Sequence, residues 1–261
     1  MRILRLIRTF IAVSALEETA YAANFAISIF YSLLNFAAGW LGLYIVFGQV
    51  GSIGGWDYDA ALAVLGVYLL VEAVSSLVIS PSLETLGGMD GAIWQGTFDF
   101  VLLRPVDTQF LASLRHWRLL SLFGLLLSLL VLITAAGRLA PGPGEVAAFL
   151  LALGAGLLAL YAVLLFLTSL VFWSPGFLFT WIFYGIFQMG RYPVGIYPGF
   201  LRPILTWVIP VGVMTTIPAQ ALAGDLPPGL LIAAIAFAVG AFALASLSFR
   251  KALGKYASAS S

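Results

Sequence analysis

The chain has 261 residues, of which 62% are hydrophobic and only 9% are charged. Soluble domains carry about 25% charged residues, so this composition excludes a water-soluble globule. A net charge of +1 gives no basis for nucleic-acid binding. The chain has no cysteine and a single histidine, His116, which excludes disulfides and thiol chemistry and leaves the usual zinc sites without ligands.

The first segment, residues 1–18, has the pattern of a helix that lies in a membrane interface. On a helix with about 100° per residue, Arg2, Arg5 and Arg8 fall on one arc, and apolar side chains fill the opposite arc. Because arginines run through the apolar stretch and no small-residue cleavage site follows, we do not expect a cleavable signal peptide. The alternative is an irregular basic tail.

The rest of the sequence predicts an all-α integral membrane protein that forms one transmembrane domain. A bilayer core of about 30 Å requires roughly 20 apolar residues per helix. Six apolar stretches come near that length, at residues 21–47, 60–80, 119–136, 146–172, 175–190 and 229–249. We therefore expect six transmembrane helices.

Residues 191–226 contain a further apolar stretch that is broken by prolines. Pro210 and Pro218 interrupt it between Pro203 and Leu222. Such backbone persists at membrane depth only where protein or a water-filled cavity satisfies its polar groups. The stretch is therefore either a re-entrant element before the last span or, if residues 175–190 lie in the interface, the fifth span.

Basic residues set the expected orientation. Clusters at residues 2–8, 104–118 and 250–255 fall on one side of the membrane if there are six spans. The positive-inside rule makes that side the cytoplasm, so both termini and the loop at residues 81–118 are expected to be cytoplasmic. Arg191 and Arg202 are the exceptions that this orientation leaves unexplained.

The sequence lacks the motifs of the common ATP-binding and hydrolytic enzymes. It contains no GxxxxGK[ST] loop, no GxSxG elbow and no HExxH pair. We therefore expect no enzymatic site, no bound cofactor and no metal in this chain.

The cytosolic loop, residues 81–118, contains a short amphipathic pattern. After Gly96, an apolar face runs through Phe98, Val101 and Leu102. A helix there should stop at Arg104, because the following proline disfavours helical backbone in the residue before it. Such a helix fits a groove on another protein; alternatively, it packs on its own bundle.

Two segments resemble the ABC-2 type transporter permease family. The first consists of Gly96-Thr97-Phe98-Asp99, Leu102-Leu103 and Pro105-Val106. The second lies before the last span and carries Pro193, Pro198, Phe200, Leu201 and Pro210. The chain departs from the broader family pattern at Arg104, Tyr192 and Ile209. The order and spacing of the segments, together with the six spans, extend the resemblance over nearly the whole chain.

The resemblance implies the transmembrane domain of a type V ABC exporter in the bacterial cytoplasmic (inner) membrane. Two permeases, identical or related, pair in the bilayer, and each docks a separate ATPase subunit that binds ATP and Mg²⁺. The coupling helix that meets the ATPase would contain Thr97, Phe98, Asp99, Leu102, Leu103, Arg104 and Pro105. Residues 191–226 would form a re-entrant hairpin on the outer side, carrying Tyr192, Pro193, Pro198 and Pro210.

Polar side chains inside the first two predicted spans suggest a translocation pathway or a dimer interface. One face of the first span carries Asn24, Ser28, Tyr31, Ser32 and Asn35. Glu72 lies midway along the second span, where a charged side chain costs about 2.5 kcal/mol or more. The alternatives are ordinary helix packing for the polar face and, for Glu72, a protonated side chain hydrogen-bonded between helices.

Two other classes of function fit the same composition. One is a self-contained secondary transporter or channel in which Glu72 is the coupling group, and the other is a membrane scaffold without transport activity. The helix-bearing cytosolic loop argues against the first, because a self-powered carrier does not need a surface for docking an ATPase.

Overall fold

A computed structural model describes residues 2–19, 22–177 and 179–256 of the chain. These ranges are helical and contain no strand, apart from one isolated bridge between Ile53 and Trp56. In chain order the α-helices are α1 (Arg2–Thr19), α2 (Ala22–Phe47), α3 (Tyr58–Val74), α4 (Ser80–Glu84), α5 (Asp99–Leu102), α6 (Thr108–Leu114), α7 (Leu122–Leu139), α8 (Pro143–Leu170), α9 (Phe179–Phe187), α10 (Leu201–Pro203), α11 (Val211–Met214), α12 (Thr216–Leu222) and α13 (Pro228–Leu253).

Five helical segments in the described ranges are long and apolar enough to cross a membrane. They are Asn24–Phe47 in α2, Tyr58–Glu84 from α3 to α4, Leu119–Leu139 ending with α7, Pro143–Leu170 in α8 and Pro228–Leu253 in α13. A sixth candidate is a pair of shorter segments, Leu201–Val208 and Val211–Leu222, bent by 66°. The predicted all-helical, multi-pass architecture is therefore confirmed, with five or six spans.

The structure differs from the sequence prediction over residues 175–190. The helix in this stretch, α9, has only 9 residues, and a tight turn at Gln188–Arg191 follows it. At about 1.5 Å per residue, α9 covers less than half of a bilayer core. Hydropathy overestimates the helix here because it does not register the breaks at Pro175 and Gly190.

Both described ends of the chain lie at the same end of the helix bundle as the 81–118 loop. The backbone N–H of Trp117 donates a hydrogen bond to Ser14 Oγ of α1 at 3.1 Å. At the other terminus, the ring of Tyr256 lies 5.4 Å from the ring of Phe98 in the loop. The chain therefore returns, after α13, to the end of the bundle from which it started.

Residues 175–224 cross from this loop end to the opposite end. At the loop end, the carbonyl oxygen of Pro175 accepts a hydrogen bond from the backbone N–H of Gly88 at 2.9 Å. At the other end, a Cβ placed on Gly224 would lie 2.9 Å from Glu145 Oε1, at the start of α8. The short helices between them, taken together, therefore supply the additional crossing that returns α13 to the loop end.

Capping residues determine where two of the spans begin. Asp57 has extended backbone, and its Oδ1 accepts a hydrogen bond from the N–H of Ala60 at 2.8 Å, so α3 begins at the next residue. Helix α8 starts at Pro143, whose missing N–H costs nothing in the first turn, and Glu145 Oε2 accepts from the N–H of Gly142 at 2.5 Å. These starts fix the depth at which each span places its polar side chains.

Helix α3 is the central span of the bundle. Of its most apolar window 67% is buried, against 17% for α2 and for α13. Glycines allow neighbours to approach closely: a Cβ on Gly66 would lie 2.9 Å from Leu132 Cγ of α7, and a Cβ on Gly156 would lie 3.0 Å from the carbonyl oxygen of Val213. Helices α2 and α13 therefore leave most of their surface for lipid or for another protein.

A π-helical turn at Ser75–Ile79 interrupts the second span just after Glu72. Ser75 Oγ lies 2.9 Å from Ser80 Oγ and 3.0 Å from the hydroxyl of Tyr184 in α9. Turns of this kind are frequent at functional sites. This one connects α9 to the second span, while Glu72, one helical turn earlier, faces Asn35 of α2.

Candidate functional site

A cavity of about 400 Å³ lies between α2, α3 and the start of α7. Its wall contains every polar residue that the sequence assigns to a pathway or dimer interface, namely Asn24, Ser28, Tyr31, Ser32, Asn35 and Glu72. Apolar side chains, among them Ile27, Leu69 and Leu127, complete the wall. The fold thus collects the polar face of the first span and the acidic residue of the second span around one space.

A hydrogen-bonded network surrounds Glu72. The Tyr31 hydroxyl donates to Glu72 Oε1 at 3.3 Å, and the Asn35 side-chain amide donates to Glu72 Oε2. Arg191 in turn donates from Nη2 to the Asn35 side-chain oxygen, and its guanidinium carbon lies 5.4 Å from the ring centroid of Tyr68. Asn35 therefore bridges a negative and a positive side chain within an apolar bundle, where charged groups require partners.

The network lies at one end of the cavity. The ring of Tyr68 stacks on Phe187 of α9 at 5.2 Å, which holds α9 against α3. Beyond Asn35, a Cβ on Gly42 of α2 would overlap the hydroxyl of Tyr192. From this end the polar wall extends along α2 towards Asn24, over about 16 Å at 1.5 Å per residue.

The other end of the cavity lies against α1 and the 81–118 loop. Glu18 Oε2 accepts a hydrogen bond from the backbone N–H of Leu120 at 3.1 Å, and Ser28 Oγ donates to the carbonyl oxygen of the same residue at 3.2 Å. Burial raises the pKa of Glu18, against the opposing effects of that hydrogen bond and of Arg118.

Within the described ranges, no three histidine, aspartate or glutamate side chains come together as metal ligands would.

The loop residues assigned to ATPase coupling divide between the interior and the surface. Phe98 is fully buried, with its ring 5.5 Å from that of Phe172 and 5.4 Å from that of Tyr256. The adjoining helix, Asp99–Leu102, is a single turn. Burial and the Asp99 carboxylate raise the pKa of Tyr256 to about 12. Phe98 therefore does not reach the face that a partner would touch, because two residues distant in sequence enclose its ring.

Several other apolar side chains of the loop are exposed, in contrast to buried Phe98. The loop surface, as we call it, consists of Met89, Trp94, Phe100, Leu102 and Leu103. Phe100 is 68% exposed and Leu103 is 80% exposed, and Thr97, Arg104 and Pro105 are exposed beside them. The sequence analysis missed Met89, Trp94 and Phe100. The first two lie in residues 85–98, which form turns that have no helical period, and Phe100 lies off the apolar face that runs through Phe98, Val101 and Leu102.

The four residues assigned to the hairpin lie in one segment between α9 and α11; they are Tyr192, Pro193, Pro198 and Pro210. Hydrogen bonds within the protein satisfy the irregular backbone of this segment. Val194 N–H donates to Thr216 Oγ1 at 3.1 Å, and the Tyr197 hydroxyl donates to the carbonyl oxygen of Met189 at 2.8 Å. Arg202 Nε donates to the carbonyl oxygen of Tyr197 at 3.1 Å. The two arginines that the orientation left unexplained thus have partners in the fold.

The sequence model of a family described as ABC-2 family transporter protein matches residues 33–260. The chain belongs to this ABC-2 family. The resemblance noted in the sequence is confirmed, and the chain is a multi-pass membrane component of ABC-2 transport. In this ABC-2 permease the loop surface and residues 191–226 lie within the matched range, whereas residues 22–32 of α2 precede it. No curated protein and no solved structure matches the chain significantly.

Proposed function

We propose that the chain is the permease subunit of an ATP-driven exporter in the bacterial cytoplasmic membrane. Separate ATPase subunits bind ATP and Mg²⁺, and the permease provides the path through the bilayer. Both termini and the 81–118 loop face the cytoplasm, in accordance with the positive-inside rule. The observation that carries the proposal is the loop surface, a set of exposed apolar side chains in the 81–118 loop of an ABC-2 family chain.

The loop surface has the features of a docking site for an ATPase. Contiguous apolar side chains exposed outside the lipid-facing part of a protein mark interaction surfaces. Phe100 and Leu103 project from a single helical turn, and Arg104 adds a positive charge beside them. A cleft on the ATPase that accepts these apolar side chains would hold the turn as a coupling helix.

Buried Phe98 links this turn to helices α8 and α13. Phe98 contacts Phe172, just after α8, and the ring of Phe172 lies 5.7 Å from that of Phe249 in α13. Packed aromatic rings transmit displacement because protein interiors have low compressibility. Closure of the ATPase subunits would therefore move α8 and α13 through this cluster.

A second permease would cover the exposed side of the first span. Helix α2 is one of the least buried spans, and its polar face lines the cavity rather than packing against the core. Polar and small residues on an exposed span favour contact with protein over contact with lipid. The cavity then lies close to the contact between the two permeases, which are either two copies of this chain or this chain and a related one.

Co-purification with an ATPase tests the proposal. The chain is co-expressed with a candidate P-loop ATPase encoded beside its own reading frame, and the complex is isolated through a tag on the permease. We expect the Phe100→Glu, Leu103→Glu double variant to retain less than about a tenth of the ATPase, since two apolar contacts of about 1.5 kcal/mol or more are lost. Phe98→Glu is unsuitable, because it places a charge in the aromatic core.

A matched control uses the other end of the molecule. Phe200 in the hairpin is 69% exposed, so Phe200→Glu introduces the same change on a surface that the ATPase does not reach, and full ATPase recovery is expected. Equal recovery with all variants would contradict docking through the loop surface. Transport by the purified chain without any ATPase would instead support the self-contained carrier.

A further inference from the structure

We infer that the cavity between α2, α3 and α7 is a binding site for an amphiphilic organic cation, with Glu72 as the counter-charge. The inference deepens the proposed function, because it names the substrate class of the pathway, and its meaning for transport rests on that function. Three properties of the cavity carry it, namely its charge, the partners of Glu72 and the character of its wall.

The charged groups in the described wall leave an excess of negative charge. Glu18 and Glu72 lie towards opposite ends, and the positive side chain among the lining residues is Arg118. Its Nη2 lies 3.6 Å from Glu84 Oε2, and Glu84 does not line the cavity, so Arg118 divides its positive charge between Glu84 and Glu18 and does not neutralise the wall. An anion entering the cavity would meet two carboxylates, whereas a cation would be attracted by both.

The direct partners of Glu72 are neutral, and Arg191 acts on its carboxylate only across Asn35, so one side of the carboxylate remains for a ligand. Tyr31 and Asn35 are neutral donors, and no ion pair to Glu72 occurs within the described residues. Arg191 reaches the far side of Asn35 and lies over the ring of Tyr68 instead of reaching the carboxylate. The ring of Tyr31 also lines the cavity and offers a π-face for a cation beside the carboxylate.

The remaining wall suits an amphiphile rather than a small hydrated ion. Hydroxyl groups of Ser28 and Ser32 alternate with apolar side chains such as Ile27, Leu69 and Leu127. The volume of about 400 Å³ lies within the range of roughly 300–1,000 Å³ that is usual for small-molecule sites. A cation with apolar substituents would place its charge near Glu72 and its apolar groups against these side chains.

Binding of two ions of the same shape and opposite charge tests the inference. The purified full-length chain in detergent is titrated with tetraphenylphosphonium and, separately, with tetraphenylborate, and binding is followed by calorimetry. We expect the cation to bind and the anion to show no saturable binding. In Glu72→Gln the cation should bind about tenfold more weakly or worse, because a charge-assisted contact of about 1.5 kcal/mol or more is lost.

Neighbouring carboxylates supply a second variant and a control. Glu18→Gln keeps an oxygen for the N–H of Leu120 and removes a charge from the wall, so we expect weaker cation binding even if Glu72→Gln does not fold. Glu17 is exposed and does not line the cavity, and Glu17→Gln should bind the cation as the wild type does. Equal affinity for the two ions, or wild-type cation affinity in folded Glu72→Gln and Glu18→Gln, would overturn the inference.

The outcomes separate this inference from the proposed function. Cation binding is measured on the permease alone, and ATPase co-purification is a separate experiment. A permease that binds no cation but still recovers the ATPase would therefore contradict this inference and leave the proposed function standing. Conversely, if the chain binds the cation through Glu72 but recovers no ATPase, the binding site is supported and the proposal of an ATP-driven exporter is contradicted.

Discussion

The bridge that Asn35 forms between Glu72 and Arg191 predicts an energetic coupling between the two charged residues. Arg191→Gln removes the guanidinium that donates to Asn35 and leaves Glu72 with neutral donors alone inside an apolar span. Losing a partner in a buried polar network costs about 1–3 kcal/mol of the free energy of unfolding. The same change should cost less in a Glu72→Gln background, where no carboxylate is left uncompensated.

The expected coupling energy is about 1 kcal/mol. Interacting residues show coupling of roughly 0.5–3 kcal/mol, and the intervening Asn35 places this pair towards the lower end. For a chain of this size, 1 kcal/mol corresponds to a change of about 2–4 °C in Tm. Arg191→Gln should therefore lower Tm by about 2–4 °C more in the wild-type background than in Glu72→Gln.

Thermal unfolding of the four proteins of the cycle, in one detergent, measures this difference through the fluorescence of the 7 tryptophans. Arg202→Gln is the matched control, because this arginine donates to the carbonyl oxygen of Tyr197 and takes no part in the network. Its loss in Tm should be the same with and without Glu72→Gln. Additive behaviour of Arg191→Gln and Glu72→Gln would refute the bridge.

Three further changes test the packing, capping and electrostatics of the fold. Gly66→Ala should lower Tm because its Cβ would lie 2.9 Å from Leu132 Cγ, whereas Gly137→Ala, which meets nothing within 4 Å, should leave Tm unchanged or raise it. Asp57→Ala removes the acceptor at the start of α3 and should cost about 1 kcal/mol of the free energy of unfolding, with Asp57→Asn close to wild type. Burial lowers the pKa of His116 from its usual 6.5, so the unfolded chain takes up this proton first and stability should fall as the pH drops below that value. Tm measured between pH 8 and pH 5 should decline less steeply in His116→Gln; an identical slope would contradict the assignment.

The sequence predicts the residues that line the cavity better than it predicts the network around Glu72. Helical periodicity places Asn24 and Asn35 on one face of the first span, and hydropathy marks Glu72 as a group that requires partners. Arg191 is 156 residues from Asn35 along the chain, and no local pattern indicates that they meet. Arg191 therefore appears in the sequence as a violation of the positive-inside rule and in the structure as a partner.

In the loop, too, the local sequence pattern fails to predict contacts between segments that are distant along the chain. Phe98 and Leu102 share a helical face, yet Phe98 is buried, because Tyr256 and Phe172 enclose it. Residues 175–190 are apolar enough for a span, but helix α9 has only 9 residues and a tight turn at Gln188–Arg191 follows it. Periodicity and composition determine local structure, whereas these outcomes depend on contacts between distant segments.

Site-specific crosslinking tests most directly whether this permease is driven by a separate ATPase through its loop. The chain has no cysteine, so Leu103→Cys introduces a unique thiol on the loop surface, and Phe200→Cys introduces a unique thiol in the segment between α9 and α11. In membranes that contain the co-expressed ATPase, a thiol-reactive photo-crosslinker attached at position 103 should yield a permease–ATPase adduct whose amount changes when ATP is bound. The same crosslinker at position 200 should yield none. An ATPase adduct from position 200 and none from position 103 would contradict the account.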